Sequence, residues 1–143
     1  MKKKQRGTGK KVWFILLIVL LGICVVFAVK RQIERIYASK YLSSVQVEVL
    51  NGSELPEKAR MVCLWLRRKG VDVMDYGNAP AVVEHTVLID RWSEDMRYAK
   101  ALASLLRCKF ITAEIDSTLG INVSLIIGKD YPKVFPVKEI EGR

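Results

Sequence analysis

From residue 45 onward, apolar and polar positions follow an order that is written twice. Val45 to Leu50 alternates, with Val45, Val47 and Val49 on one side and Gln46 and Glu48 on the other, the period of a half-buried strand. A turn follows, then a segment from about Leu55 to Lys69 whose Ala59, Val62, Cys63 and Leu66 fall on one helical stripe. Gly70 is placed to stop that helix, and Val71 to Tyr76 alternates again. After Gly77-Asn78-Ala79-Pro80 the order restarts. Thr86 to Asp90 predicts a strand, and Asp95 to Leu106 a helix with Ala99, Leu102, Ala103 and Leu106 aligned. Asn122 to Ile127 predicts the last strand, Phe110-Ile111-Thr112 a short optional one, and 132–143 reads as a loose tail.

The joint after the first strand, Asn51-Gly52-Ser53, has its own local logic. Asn-Gly tolerates positive φ and lets the chain reverse. Ser53 is expected to cap the following helix, with Pro56 in the first turn and Glu57 where the helix dipole favours an acid.

Two consecutive β-α-β phrases with short connections predict an α+β domain of β-α-β-β-α-β order. The arrangement expected is a ferredoxin-like sandwich, a four-stranded antiparallel sheet with both helices on one face. A doubly wound parallel sheet is the alternative, but 45–131 is short for its two halves and no G-x-G-x-x-G opens a helix.

Upstream, the pattern changes character. Val12 to Val29 carries no charge and is long enough for a transmembrane helix. A cleaved signal peptide competes with that reading, since Val26-Phe27-Ala28 offers small or branched residues at cleavage positions. A buried core helix lacks an equally apolar partner. The spacing of Ile33, Ile36 and Tyr37 carries the helix into a juxtamembrane stalk, 30–44, that ends at Ser43-Ser44.

Net charge is +9, which suggests a nucleic-acid binder until it is partitioned. Residues 1–11 hold six Lys and Arg and no acid; 30–40 hold four against Glu34; from residue 41 onward fourteen bases face fourteen acids. The surplus belongs to the membrane flanks, and a neutral domain does not predict nucleic-acid binding. The basic tail 1–11 predicts a cytoplasmic N-terminus at the inner membrane and an extracytoplasmic domain. Contact with membrane lipids is expected through residues 1–31. Trp13 sits where an interfacial indole belongs.

The chemistry-bearing residues are sparse. His85 is the single histidine, with no acid and nucleophile patterned beside it. Ser53 lies in no G-x-S-x-G elbow. The acids form no cation loop, and the three cysteines form no zinc pattern, so neither metal nor cofactor is expected. A Cys63–Cys108 disulfide stays open, because spacing alone does not place the two Cα atoms.

The stretch VEVLNGS, a following proline and helix ending LRRKGVDV, then GNA, TVLIDR and VSLIIGKDY, resembles the C-terminal domain of the LytR/CpsA/Psr cell-envelope family. The landmarks are Asn51, Gly52, Gly70, Asn78, Thr86, Asp90, Arg91, Gly128 and Asp130, across 45–131. Members usually carry a large catalytic domain before this one, transferring glycopolymers to the wall. Here only residues 30–44 separate span from domain, which leaves no room for it. The resemblance therefore implies a non-catalytic, membrane-anchored accessory protein of the bacterial envelope. It would bind wall polymer or an envelope protein; the alternative is a protein-binding subunit of a membrane complex with no wall contact.

Candidate binding residues follow from element ends. Asp90, Arg91, Lys129 and Asp130 are expected to converge at one end of the sheet beside the second helix; Trp92, in the loop after the strand, either packs in the core or at an edge or stands exposed to stack on a sugar or a partner. Asn51, Gly52 and Ser53 form a second candidate, with backbone N–H groups at a helix start suited to an anion. Trp65 is expected in the core or on the sheet edge, with the bilayer as the alternative.

Overall fold

The computed structural model describes residues 8–142, so most of the basic tail read at 1–11 lies outside the described residues. The chain divides into two units, 1–36 and 37–143. Helix α1 runs unbroken from Thr8 to Leu42. Within it Lys11–Ile33 is long and apolar enough to cross a membrane, and none of that stretch is buried against protein. The helix continues past the apolar run, as the spacing of the stalk predicts.

The second unit is built on strands β1 (Gln46–Asn51), β2 (Asp72–Asn78), β3 (Val87–Asp90), β4 (Phe110–Ala113) and β5 (Val123–Ile127), with helices α2 (Lys58–Arg68) and α3 (Arg97–Ala103). They make one five-stranded mixed sheet in the order β2-β1-β5-β3-β4, not the four-stranded antiparallel sheet expected. Strands β1 and β2 are parallel, as are β3 and β4. Each β-α-β phrase thus closes on itself with its two strands adjacent, and the two phrases run in opposite directions. Strand β5 lies between them, parallel to β1 and antiparallel to β3.

Physical chemistry explains why β5 takes the centre. Its neighbours cover both edges, and Val123, Ser124, Leu125 and Ile127 are all buried. A near-continuous apolar run such as VSLII tolerates burial on both sides, whereas the alternating β1 keeps Gln46, Glu48 and Leu50 half-exposed. The optional strand at 110–112 is the partner the second β-α-β phrase needs, so β4 completes it.

The core lies between one face of the sheet and the helices. Val45, Val47, Val49, Leu88, Val123, Leu125 and Ile127 are sealed off by Ala59, Val62, Cys63 and Leu66 of α2 and Ala99 and Leu102 of α3. These are the stripes predicted from periodicity. Gly70, at φ 84°, ends α2 in the left-handed conformation that glycine adopts without a Cβ penalty. Val71 then donates to the Leu66 carbonyl at 3.1 Å and leads into β2.

The C-terminal stretch is not a loose tail. Short helices α4 (Tyr131–Val134) and α5 (Val137–Glu141) bury Tyr131, Val134, Phe135 and Ile140 against the helical layer. Trp65 is sealed beneath them rather than at a sheet edge or a bilayer, its indole N–H donating to Glu139 Oε2 at 3.2 Å. Lys69 Nζ reaches the same oxygen at 3.0 Å, and Lys58 Nζ meets Glu141 Oε1 at 2.6 Å.

This strap is expected to respond to pH. The hydrogen bond from Lys69, then that from Trp65, holds the Glu139 carboxyl below the usual carboxylate range. A lowered folded-state value means the contact stabilises above the unfolded value and is lost as pH falls through the folded one. In a chain with Trp13 and Trp92 replaced by Phe, Trp65 emission is expected to shift toward exposed indole as pH falls below the ordinary carboxylate range. Glu139→Gln should flatten that transition. An unchanged transition in the Glu139→Gln chain would remove Glu139 as its origin.

Candidate functional site

Strand direction decides which residues can act together. Strands β1, β2 and β5 end at one edge of the sheet, and β3 and β4 end at the other. Asn51 and Lys129-Asp130 therefore share one end, while Asp90, Arg91 and Trp92 occupy the opposite one. The expected convergence of Asp90 and Arg91 with Lys129 and Asp130 does not occur. It presupposed that the last strand ran with β3; β5 runs against it.

At the first end, a clasp joins β3 to β5. Asp130 Oδ1 accepts from the Thr86 backbone N–H at 2.7 Å and from Thr86 Oγ1 at 2.6 Å. Thr86 Oγ1 in turn accepts from the Gly128 N–H at 3.1 Å. Thr86 is wholly buried. At Gly128 an added Cβ would stand 2.4 Å from the His85 carbonyl carbon and 2.7 Å from Thr86 N, so only glycine fits. Asp130 Oδ2 lies 3.6 Å from Nδ1 of His85, whose exposed ring stacks on Phe110 with centroids 4.6 Å apart. Lys129 is held between Glu84 at 2.8 Å and Glu54 at 3.4 Å.

Beside the clasp, the Asn51-Gly52-Ser53 joint is closed on itself. Asn51 Oδ1 accepts from Ser53 Oγ at 2.7 Å and from Ser53 N–H at 3.1 Å, and Asn51 Nδ2 donates to the Leu55 carbonyl at 2.9 Å. The Gly52 N–H donates to the Ile127 carbonyl at 2.9 Å. Both backbone donors are consumed, so the joint has nothing left for an anion. Ser53 does not cap α2 either: the helix begins at Lys58 after Glu57, which takes a left-handed φ of 62°. Gly52 has no positive φ. A Cβ there would meet Val83 Cγ2 at 2.9 Å and the Ile127 carbonyl at 3.1 Å, so close approach explains the glycine.

At the opposite end, Asp90 organises a loop. Its buried carboxylate accepts four backbone N–H groups: Trp92 at 3.1 Å and Ser93 at 2.7 Å on Oδ1, Tyr98 and Ala99 at 3.0 Å each on Oδ2. One side chain thus ties the end of β3 to the first turn of α3. Arg91 lies on the sheet's other face, donating to Ser124 Oγ at 3.1 Å and pairing with Glu114 at 3.0 Å. Ser124 Oγ in turn sits 3.4 Å from Glu48 Oε2. Arg91 is thereby committed to internal partners. Trp92 is 52 % exposed on the pinned loop and lines an open pocket with Ser93, Glu94, Asp95, Arg97 and Tyr98.

Of the predicted residues, then, Asp90, Arg91 and Trp92 stay together, and the other five gather at the far end as a folding joint. Thr86 and Tyr98 were missed as participants. Thr86 led its strand in the pattern, but only the antiparallel β3–β5 pairing puts it against Asp130. Cys63 and Cys108 are both free thiols, each with its pKa raised by burial. Cys108 Sγ sits 3.2 Å from the Thr86 carbonyl oxygen. Among the described residues no group of three His, Cys, Asp or Glu side chains is placed to hold a metal.

Residues 44–131, more than half of the chain, match the model of a family described as the LytR cell envelope-related transcriptional attenuator. No curated protein matches. Among solved structures, the chain is similar to the crystal structure of the soluble domain (residues 71–217) of a conserved hypothetical secreted protein, an Rv2700 ortholog, from Mycobacterium marinum. The TM-score is 0.50 at 20 % identity, covering 67 % of this chain and 69 % of that one, a likeness of fold.

Proposed function

This chain belongs to the LytR cell envelope-related transcriptional attenuator family, and from that premise we propose a membrane-anchored, non-catalytic accessory protein of the cell envelope. In this reading α1 crosses the inner membrane once with its N-terminus inside, and the second unit works outside. That unit binds wall polymer, and the loop after β3 makes the contact. The observation that carries the proposal is an exposed Trp92 on a loop made rigid by the four N–H bonds of Asp90. A preorganised aromatic face is what a sugar ring stacks on at low entropic cost. Asp130, Lys129 and the Asn51–Ser53 joint belong to the scaffold, for their polar groups already have partners.

The test is co-sedimentation of the full chain, in neutral detergent, with purified cell-wall sacculi across a salt series. Retention is expected to survive moderate salt. Trp92→Ala should lower it at least about fivefold while leaving the melting temperature within about 2 °C, since an exposed side chain contributes little to the fold. Retention unchanged by Trp92→Ala would take the contact away from this loop. No retention by the parent chain would favour the alternative, an envelope protein gripped by an exposed sheet edge such as β2, where Met74 and Tyr76 stand out.

A further inference from the structure

Basic residues of the folded domain are concentrated in its helical stretches. The helical stretches 58–69, 97–109 and 131–142 hold eleven Lys and Arg against two Glu. The strands and their loops hold twelve of the fourteen acids beyond residue 40. A segment neutral as a sum therefore concentrates its cations on the helical layer, because folding stacks all three basic stretches on the same face, while its acids are spread over the strands and the loops at both ends of the sheet.

The concentration sharpens at one groove of about 370 Å³, where the last residues of α2 meet the turn after α3 and the strap. Lys69, Arg107 and Lys133 line it, with Ser104 and Phe135 between them and the buried Trp65 in its wall. Its single acid is Glu139, already paired with Lys69. Arg107 and Lys133 are exposed, and neither makes an ion pair among the described residues. Their backbones are locked together, since the Arg107 N–H donates to the carbonyl of Val134, next to Lys133, at 3.1 Å. Helix-end capping does not account for Arg107, since α3 has finished at Ala103 before it; Lys133 stands in the last turn of the one-turn helix α4 and faces the same groove.

We infer that this groove is an anion site that takes a phosphate group carried on a polymer chain. A cleft lined by one sign of charge focuses its field on the opposite sign. An arginine fork beside a lysine matches phosphate oxygens in geometry and in charge. Beside the groove, the exposed Arg68, next to Lys69 at the end of α2, donates to the Glu139 carbonyl at 3.5 Å and adds a further cation for a neighbouring phosphate of the same chain. The site lies apart from the Trp92 loop, and it stands whether or not that loop binds a sugar.

The experiment uses the full chain in phosphatidylcholine nanodiscs and fluorescein-labelled linear polyphosphate, read by anisotropy. Arg107→Gln with Lys133→Gln is expected to weaken binding at least about tenfold. Lys100→Gln with Lys109→Gln removes the same charge outside the groove and should cost less than about twofold. All four positions are exposed, so an unchanged melting temperature confirms folding in both variants. Equal losses in the two pairs would mean diffuse attraction and overturn the site, as would an absence of polyphosphate binding by the parent chain. If discs carrying phosphatidylglycerol compete the polymer away, the occupant is a lipid headgroup and the polymer assignment falls.

Discussion

Gly128→Ala is expected to destabilise the folded domain by about 3 kcal/mol or more, although it adds a single methyl group. The new Cβ would sit 2.4 Å from the His85 carbonyl carbon and 2.7 Å from both the His85 oxygen and Thr86 N. These are backbone atoms of the segment entering β3, which no rotamer change can move aside. Relief requires the 85–86 segment to withdraw from β5. That withdrawal breaks the Gly128 bond to Thr86 Oγ1 and strains both Thr86 bonds to Asp130, leaving buried polar groups without partners. Gly77→Ala is the control. There the nearest atom is Leu50 Cδ2 at 4.0 Å and φ is not positive, so the expected change is about 1 kcal/mol or less. Urea unfolding of the full chain in mild detergent, followed by Trp emission, compares the two. Similar midpoints for both variants would mean that the clasp does not hold β3 to β5.

Asp90→Ala is expected to cost about 3–5 kcal/mol, because four backbone N–H groups lose one acceptor. The Ser93 and Ala99 donors are in buried surroundings where water does not replace the carboxylate. Asp90→Asn keeps the oxygen for one pair of donors and turns an amide N–H toward the other pair, so a loss of about 2 kcal/mol is expected. The two variants separate scaffold from binding. Amide exchange at Ser93, Tyr98 and Ala99 should accelerate more than at β1, since the loop frees first. Sacculi retention should fall in Asp90→Asn even where the domain remains folded, because Trp92 loses its fixed platform. Uniform exchange across the sheet would show that Asp90 supports the whole domain and not this loop in particular.

Much of the domain was legible in one dimension. Val45, Val47 and Val49, the stripe Ala59, Val62, Cys63 and Leu66, and Gly70 as the helix stop all follow from periodicity and backbone sterics. Each of those depends on neighbours within a turn or a strand, where 3.6 and 2.0 residue repeats translate directly into faces. The site was legible only in part. Trp92 was readable as a loop aromatic with packing and exposure both open, and Asp90 as a surface acid. Its burial depends on α3 returning to place the Tyr98 and Ala99 N–H groups against it. Lys129 and Asp130 were grouped with Asp90 because strand direction is not encoded in alternation. A parallel and an antiparallel neighbour present the same period-two pattern.

What the sequence determined by itself is therefore local and compositional: an apolar helix long enough for a bilayer, two β-α-β phrases, their core stripes, and the landmarks of an envelope family. Tertiary structure alone decided that β5 inserts between the two phrases, that the C-terminal stretch straps Trp65, and that basic segments distant in sequence share one face. The physical reason is the same for all three. Strand partners, straps and charge clusters are contacts between segments tens of residues apart, set by which packing buries the most apolar surface while pairing every backbone donor. No short window of sequence contains both sides of such a contact.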